Sequence, residues 1–161
     1  MKVLHSLSLA FSLLTPLTTA HIPPNITALP VVAPGLDFLY TMLVECDDSL
    51  YRMPVPYGTR AAIPIVGGEF TGPRLKGHVL NLGADWGLTD PRTGIFSPDT
   101  RYQLQTDDGA FIYIRTSGSA QPGGELHLRV LFETGYTKYY WLNNVVGESF
   151  FLFGGGVSFV G

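Results

Sequence analysis

The sequence predicts an all-β fold, in which one antiparallel sheet closes into a barrel or packs as a sandwich. Short runs rich in β-branched and aromatic residues, many alternating with polar residues, fill the chain from residue 37 onward. Glycine, proline and aspartate residues separate these runs. No window of about 11 residues keeps the 3.6-residue period of a helix. We expect about eight or nine short strands and little helix, and a barrel of about eight strands can hold one small ligand.

The alternation, taken in chain order, gives the individual strands and turns. Asp108-Gly109 stands between two β-rich runs and is a strong signal for a tight hairpin. In the run 125–133 one face is apolar and the other polar, so we expect the polar face in water. The run 109–117 is largely apolar on both faces and is expected to be covered on both sides. The predicted strands cover residues 37–46, 60–66, 74–81, 100–106, 109–117, 125–133, 138–144, 147–153 and 156–160.

The N-terminal residues 1–20 have the features of a secretory signal peptide, with a positive charge, an apolar run and small residues at its end. Residues 21–35 are rich in proline and have no strand or helix period, which predicts an extended arm. The arm contains Asn25 in an Asn-Ile-Thr glycosylation acceptor. We therefore expect an exported glycoprotein with one barrel domain over residues 36–161. No later segment reaches the roughly 18 apolar residues of a membrane anchor.

The charge and the cysteine content limit the kinds of partner that this protein can have. The net charge is −3 and only 14% of the residues are charged, against about 25% in an average domain. No clustered basic face is present, so nucleic acid is not an expected partner. Cys46 is the only cysteine, so it either forms an intermolecular disulfide in a homodimer or is a buried, inert thiol. The carboxylates of Asp47 and Asp48 are expected to raise its pKa, which argues against a catalytic thiolate.

The glycine-rich stretch 67–86 has the strongest local signal in the chain. Glycines within strand-like sequence are typical of bulges, tight corners and close approaches between backbones. Asp85 and Trp86 follow such a corner at the end of the stretch. Both side chains are candidates to point into the space that the strands enclose.

The run 63–77, IPIVGGEFTGPRLKG, resembles the signature of a bacterial and fungal family known mainly as a domain of unknown function. Further blocks are similar in order and spacing: GADW at 83–86, DTRY at 99–102 running into TDDGA at 106–110, and WLN at 141–143. The family is similar to the calycins, so the resemblance implies a small, closed, lipocalin-like antiparallel barrel around a cavity. The chain also resembles secreted fungal cyclases of the hetero-Diels–Alderase type, which work without a cofactor in sesquiterpenoid pathways.

Several reaction classes lack support in the sequence. The motifs of standard hydrolases, P-loop nucleotide enzymes and zinc proteases are missing. His78 and His127 are too few for a metal site, and both lie on predicted strands, where surface or core positions are the common ones. We therefore expect no metal and no cofactor.

The candidate site residues come mainly from the blocks that resemble the family. Asp85 and Arg101 either form a structural pair or face a ligand. In a cyclase, Asp85 would accept a proton or orient a hydroxyl, and Arg60 or Arg101 would stabilise negative charge on an oxygen. Tyr113 either aims its hydroxyl into the cavity or completes the core. The expected substrate-contacting residues are Trp86, Tyr102, His78, His127, Trp141 and Asn143.

Two functions of different classes fit these residues. The first is a cofactor-independent cyclase or isomerase, with a hydrophobic terpenoid or polyketide intermediate held in the barrel. Such reactions need little more than a shaped pocket and a few hydrogen bonds. The second is a lipocalin-like carrier, with the same pocket and no turnover. The resemblance favours the enzyme, and the ligand is a small hydrophobic molecule in both cases.

The N-terminal sequence gives a prediction about maturation. Expression through a secretory host should yield a protein that begins near His21 and carries a glycan on Asn25, because both features precede the folded domain. Intact mass before and after deglycosylation measures both. A protein that retains Met1, or an unmodified Asn25, would contradict it.

Overall fold

The computed structural model describes residues 35–48, 50–151 and 157–160. The predicted signal peptide, the Pro-rich arm and Asn25 lie outside the described residues, so these assignments stay predictions. In the part of the chain that is described, no helix has the length and apolar character that crossing a membrane would require.

The described residues are mostly β-strand. One 3-10 helix, Thr137–Asn144, is found among them. The strands are β1 (Phe38–Cys46), β2 (Tyr51–Val55), β3 (Gly58–Thr71), β4 (Lys76–Asp85), β5 (Leu88–Thr89), β6 (Phe96–Ser97), β7 (Asp99–Thr106), β8 (Phe111–Ala120), β9 (Leu126–Glu133), β10 (Gly147–Phe151) and β11 (Val157–Val160).

All of these strands belong to one antiparallel sheet. Its path runs β1-β11-β10-β9-β8-β7-β4-β3-β5-β6, with β2 paired to β3. β1 pairs with β11 and also with β3. The prediction of an all-β antiparallel fold is confirmed. The predicted number of strands was too low, because β2 and the two-residue strands β5 and β6 were not recognised.

Two local predictions were wrong. The segment 138–144, predicted as a strand, lies in the 3-10 helix. Tyr139 and Leu142 are both buried, and the three-residue period of a 3-10 helix places them on one side of it. The run 109–117 was expected to be covered on both faces. Phe111 is 46% exposed and Arg115 is also exposed, so only one face of β8 packs into the core.

Two other predictions are confirmed. Along β9 buried residues alternate with more exposed ones, as the pattern in 125–133 indicated. The Asp108-Gly109 hairpin joins β7 to β8. The N–H of Gly109 donates to the carbonyl of Thr106 over 2.8 Å, and the φ of Gly109 is 88°.

Glycines allow neighbouring backbones to approach closely within the sheet. Gly83 has a φ of 143°, and a Cβ atom there would lie 2.4 Å from the carbonyl oxygen of Arg101 on β7. The pairing of β4 with β7 shifts register between Val79 and Gly83. The glycines of the stretch 67–86 therefore mark a bulge and a close contact between strands, as the sequence indicated.

The helix packs at the end of the sheet where the β7–β8 hairpin lies. Tyr139 and Leu142 join the main apolar core with residues such as Leu104 and Ile112. Asp108 connects the hairpin to the helix: it accepts hydrogen bonds from the ammonium of Lys138, the hydroxyl of Tyr139 and the hydroxyl of Thr106. These hydrogen bonds hold the pKa of the Asp108 carboxyl well below its usual range. We call this end the helical end.

The close approach at Gly83 predicts a large effect of Gly83→Ala. The new methyl group would meet the carbonyl oxygen of Arg101. The backbone conformation of Gly83 is also unfavourable for residues with a Cβ atom. We expect the free energy of unfolding to fall by more than about 1 kcal/mol. The control is Gly123→Ala, where no atom lies within 4 Å of the position that a Cβ atom would occupy. Urea unfolding measures both, and equal midpoints would contradict the prediction.

The Asp108 contacts predict a pH-dependent stability. Because folding lowers the pKa of Asp108, its stabilising effect is complete above the pKa of the unfolded chain, about 4, and decreases as the pH falls below it. Asp108→Asn should therefore lower the melting temperature at pH 7, and the difference from the parent should shrink below about pH 4. The control is Asp107→Asn, since Asp107 forms an ion pair with the exposed Lys76, and such surface pairs contribute little to stability. A difference that does not vary with pH would contradict it.

Candidate functional site

A mainly apolar cavity of about 300 Å³ lies at the opposite end of the sheet from the helical end. Its wall includes residues at the end of β1, the end of β4 and the start of β7. The apolar part of the wall comprises Val44, Ile63, Ile65, Phe96, Pro98, Leu126 and Leu128. Its polar and ionisable residues are Cys46, Asp85, Thr100, Tyr102, Thr116 and Ser149.

Two wider and more open grooves, of about 510 and 530 Å³, lie elsewhere. The first is lined by exposed side chains such as Lys76 and His78, and the second by Phe111 and Tyr113. The cavity is more enclosed and more apolar than either groove, which are the properties of sites for small hydrophobic ligands. We therefore take the cavity as the candidate site.

Asp85 is the buried carboxylic acid of this cavity. Only 9% of the residue is exposed. Its Oδ1 accepts a 2.9 Å hydrogen bond from the backbone N–H of Asp99, which ties the end of β4 to the start of β7. Burial raises the pKa of Asp85, and the nearby Asp99 carboxylate raises it further, while backbone hydrogen bonds from Asp99 and Gly87 oppose the change. Asp85 is therefore more easily protonated than an exposed aspartic acid.

Cys46 and Tyr102 share the cavity with Asp85. Tyr102 is 4% exposed, and burial raises the pKa of its hydroxyl far above the ordinary value. Cys46 is exposed at the end of β1, so the interpretation as a buried, inert thiol was wrong. Partial burial raises the pKa of the Cys46 thiol, and so does the carboxylate of Asp85. The sequence predicted a raised pKa, but from Asp47 and Asp48 rather than from Asp85.

Three hydroxyl residues of the cavity were not among the sequence candidates. Thr100 and Thr116 are directly paired across β7 and β8, and their hydroxyl oxygens are 2.5 Å apart. Ser149 lies on β10 and is fully buried. Each of the three lies on a predicted strand, and the alternation of apolar and polar residues along that strand could have placed it on the inner face. Their short side chains gave no functional signal by themselves.

Arg101 and Tyr113 lie on the face of the sheet that is opposite to Asp85. Directly paired residues of an antiparallel sheet share a face, and adjacent residues of one strand point to opposite faces. Arg101 pairs with Ala84, whereas the adjacent Asp85 pairs with Thr100, so Arg101 and Asp85 lie on opposite faces. Arg101 forms a 3.3 Å ion pair with Asp99 on that outer face. Tyr113 lies in one of the open grooves. The structure thus separates these two candidates from Asp85.

The two histidines also lie outside the cavity. His78 is exposed and pairs with Glu69 and Gln105 of the neighbouring strands. His127 faces away from the cavity: its ring lies 3.4 Å from the carboxylate of Glu125 and packs edge-on against Phe150. In the described part of the chain, no group of three or more histidine, cysteine, aspartate or glutamate side chains could hold a metal ion.

The remaining aromatic and polar candidates have structural contacts. Trp86 is 41% exposed, and Arg60 donates a hydrogen bond to its backbone carbonyl. Trp141 lies in the 3-10 helix, with the guanidinium of Arg74 3.4 Å above its ring centre. Asn143 bonds through its side chain to both the N–H and the carbonyl of Thr134. Of the predicted site residues, the structure brings together Asp85 and Tyr102.

Comparison with known proteins gives relatives over most of the chain. The family described as "Protein of unknown function (DUF3237)" matches residues 34–131. A UPF0311 protein of Rhodopseudomonas palustris is 30% identical over 122 residues, which cover 65% of this chain and 79% of that protein. The hydroalkoxylation enzyme phnH of Penicillium herquei is 31% identical over 145 residues, which cover 90% of this chain and 86% of the enzyme.

Solved structures agree with these sequence matches. A crystal structure of a beta-barrel like protein from Acinetobacter baumannii is 32% identical, with a TM-score of 0.70 over 81% of this chain and 97% of that one. A crystal structure of an enzyme from Penicillium herquei is 26% identical, with the same TM-score of 0.70 over 82% of this chain and 96% of that one. The sequence resemblance to a family of unknown function is thereby confirmed, and this chain belongs to the DUF3237 family.

Proposed function

We propose that this chain is an enzyme that closes an oxygen-containing ring in a hydrophobic natural-product intermediate. The observation that carries the proposal is the buried carboxyl group of Asp85 on the wall of a mainly apolar cavity. Similarity to the hydroalkoxylation enzyme of Penicillium herquei supports the same class of reaction. The substrate would be a terpenoid or polyketide with a hydroxyl group and an alkene near each other.

Hydroalkoxylation adds an O–H group across a C=C bond. The O–H bond and the π bond break, while one C–O bond and one C–H bond form, so the product has the mass of the substrate. Asp85 in its protonated form would give a proton to the alkene carbon, and its carboxylate would take the proton of the attacking hydroxyl. The acid is regenerated at the end, and the reaction needs no oxidant or reductant.

The environment of Asp85 suits this role. An exposed aspartic acid is almost fully ionised at neutral pH and is a poor proton donor. Burial raises the pKa of Asp85, so more of it is protonated near the working pH. The hydrogen bond from the Asp99 N–H fixes the orientation of the carboxyl group. Side chains of the wall, such as Tyr102 and Leu128, would hold the apolar body of the substrate close to its reactive shape.

A hetero-Diels–Alder ring closure is the related alternative within this class. It moves electrons around a ring without transferring a proton, so Asp85 would only orient a hydroxyl or carbonyl group. A carrier for a small hydrophobic ligand is the second candidate function. The apolar lining of the cavity favours a carrier, because the same wall would bind a hydrophobic ligand without converting it to a product.

We also propose a closed barrel and an exported protein. The pairing of β1 with both β11 and β3 supports closure of the eight strands β3, β4, β7, β8, β9, β10, β11 and β1 around the cavity. The N-terminal sequence and Asn25 support export and glycosylation. In this setting the exposed Cys46 would be available for an intermolecular disulfide in a homodimer.

Asp85→Asn tests the proposed reaction. The amide keeps an oxygen that can accept the Asp99 N–H bond but can no longer donate or accept the catalytic proton. We expect turnover to fall about 100-fold or more. The melting temperature at pH 7 should stay the same or rise, because a raised pKa means that the ionised Asp85 opposes folding above the pKa of the unfolded chain. Chromatography coupled to mass spectrometry would follow a product of unchanged mass from candidate hydroxy-alkenes.

Asp107→Asn is the matched control, because it removes a carboxylate from the exposed Lys76 pair at the helical end. It should convert substrate like the parent. Normal turnover by Asp85→Asn would exclude proton transfer by Asp85 and favour a ring closure directed by shape alone. Binding of hydroxy-alkenes by the parent without any conversion would favour the carrier.

A further inference from the structure

We propose that Ser149 is a specificity-determining residue, whose hydroxyl forms a hydrogen bond with an oxygen atom of the ligand in the cavity. The inference rests on the proposed function, and it adds a second polar requirement to the substrate. The ligand would have an apolar body, one group that reacts at Asp85 and a separate oxygen, of the carbonyl type, at the wall formed by β10.

Ser149 reaches the cavity from the middle of β10. It pairs with Leu128 of β9, and both residues line the cavity. The neighbouring Phe150 is 40% exposed, as expected for the opposite face of the strand. The residue is 0% exposed, and among the residues that the structure describes, no hydrogen-bond partner lies within reach of its Oγ.

Other polar groups of the cavity have hydrogen-bond partners, which makes the hydroxyl of Ser149, unpaired among the described residues, unusual. Thr100 and Thr116 bond to each other through their hydroxyls, and Asp85 accepts the N–H of Asp99. A buried hydroxyl that lacks a partner is costly, and such groups are uncommon in folded proteins. A ligand oxygen in the cavity would give Ser149 the partner that the described residues do not provide.

The order of strands separates the two polar positions. β9, β8 and β7 lie between β10, which holds Ser149, and β4, which holds Asp85. A ligand that contacts both residues must therefore extend across the cavity. Its apolar body would lie against side chains such as Leu128 and Tyr102 between them. One fixed contact on each wall would select a single orientation and hence a single face of the reacting alkene.

Binding of two matched probes tests the inference without any turnover. 1-Tetralone and tetralin share a bicyclic apolar body, and only 1-tetralone has a carbonyl oxygen. Dissociation constants would be measured by calorimetry for the full chain and for Ser149→Ala. With the protein kept reduced, alkylation of Cys46 by iodoacetamide reports the location of binding, because Cys46 is the only cysteine and lines the same cavity. Binding of either probe in the cavity should slow this alkylation.

We expect Ser149→Ala to lower the preference for 1-tetralone over tetralin by roughly fivefold, with the affinity for tetralin unchanged. Its melting temperature should stay level or rise, since the mutation removes a hydroxyl without a partner. Thr106→Val is the control: it removes a buried hydroxyl that bonds to Asp108 at the helical end, away from the cavity, so it should lower the melting temperature and keep the preference.

An unchanged preference in Ser149→Ala would overturn the inference, and so would the absence of binding or Cys46 protection by either probe. Failure of this inference and failure of the proposed function give different results. A lost preference combined with normal turnover by Asp85→Asn would overturn proton transfer alone, and the reverse pair of results would overturn the role of Ser149 alone.

Discussion

The two-residue alternation of side chains along the strands is the constraint on which the core and the cavity both depend. Every second residue of β7, β8 and β9 points inward, and these residues are almost all apolar or hydroxyl-bearing. The inner face therefore runs from the helical end, where Leu142 is fully buried, to the cavity end, where Asp85 lies on the wall. Core and site are parts of the same surface and differ only in how completely it is filled.

The pKa values of the two carboxyl groups, Asp108 at the helical end and Asp85 at the cavity end, are shifted in opposite directions. At the helical end, Asp108 has three hydrogen-bond donors from side chains, and its pKa is lowered. At the cavity end, Asp85 lies in apolar surroundings, its hydrogen bonds come from the backbone, and its pKa is raised. The first arrangement stabilises a charge and holds a helix to a hairpin. The second makes the charge less favourable, so Asp85 is protonated more easily than an exposed aspartic acid.

The relatives share the scaffold of this chain, with a TM-score of 0.70 for two solved structures. Proteins of unknown function and a fungal hydroalkoxylation enzyme are similar to this chain at about 30% identity. A fold does not by itself specify an activity, so a proposed function must come from particular side chains. For this chain we propose the carboxyl group of Asp85 and the hydroxyl of Ser149, which both line the mainly apolar cavity.

The sequence by itself determined the fold class, most of the strands, the Asp108-Gly109 hairpin and the glycine-related bulge, because these depend on local spacing and backbone conformation. It also indicated Asp85 and Tyr102. Only the tertiary structure decided which of the two alternating sets of side chains on each strand faces inward. Strand pairing selects that set, and the register shift near Gly83 interrupts the alternation. Arg101 was therefore expected beside Asp85 but lies on the opposite face, and Ser149 became visible only when its strand was placed at the cavity wall. The segment Thr137–Asn144 shows the same limit, since its contacts with the core favour a helix where the local sequence indicated a strand.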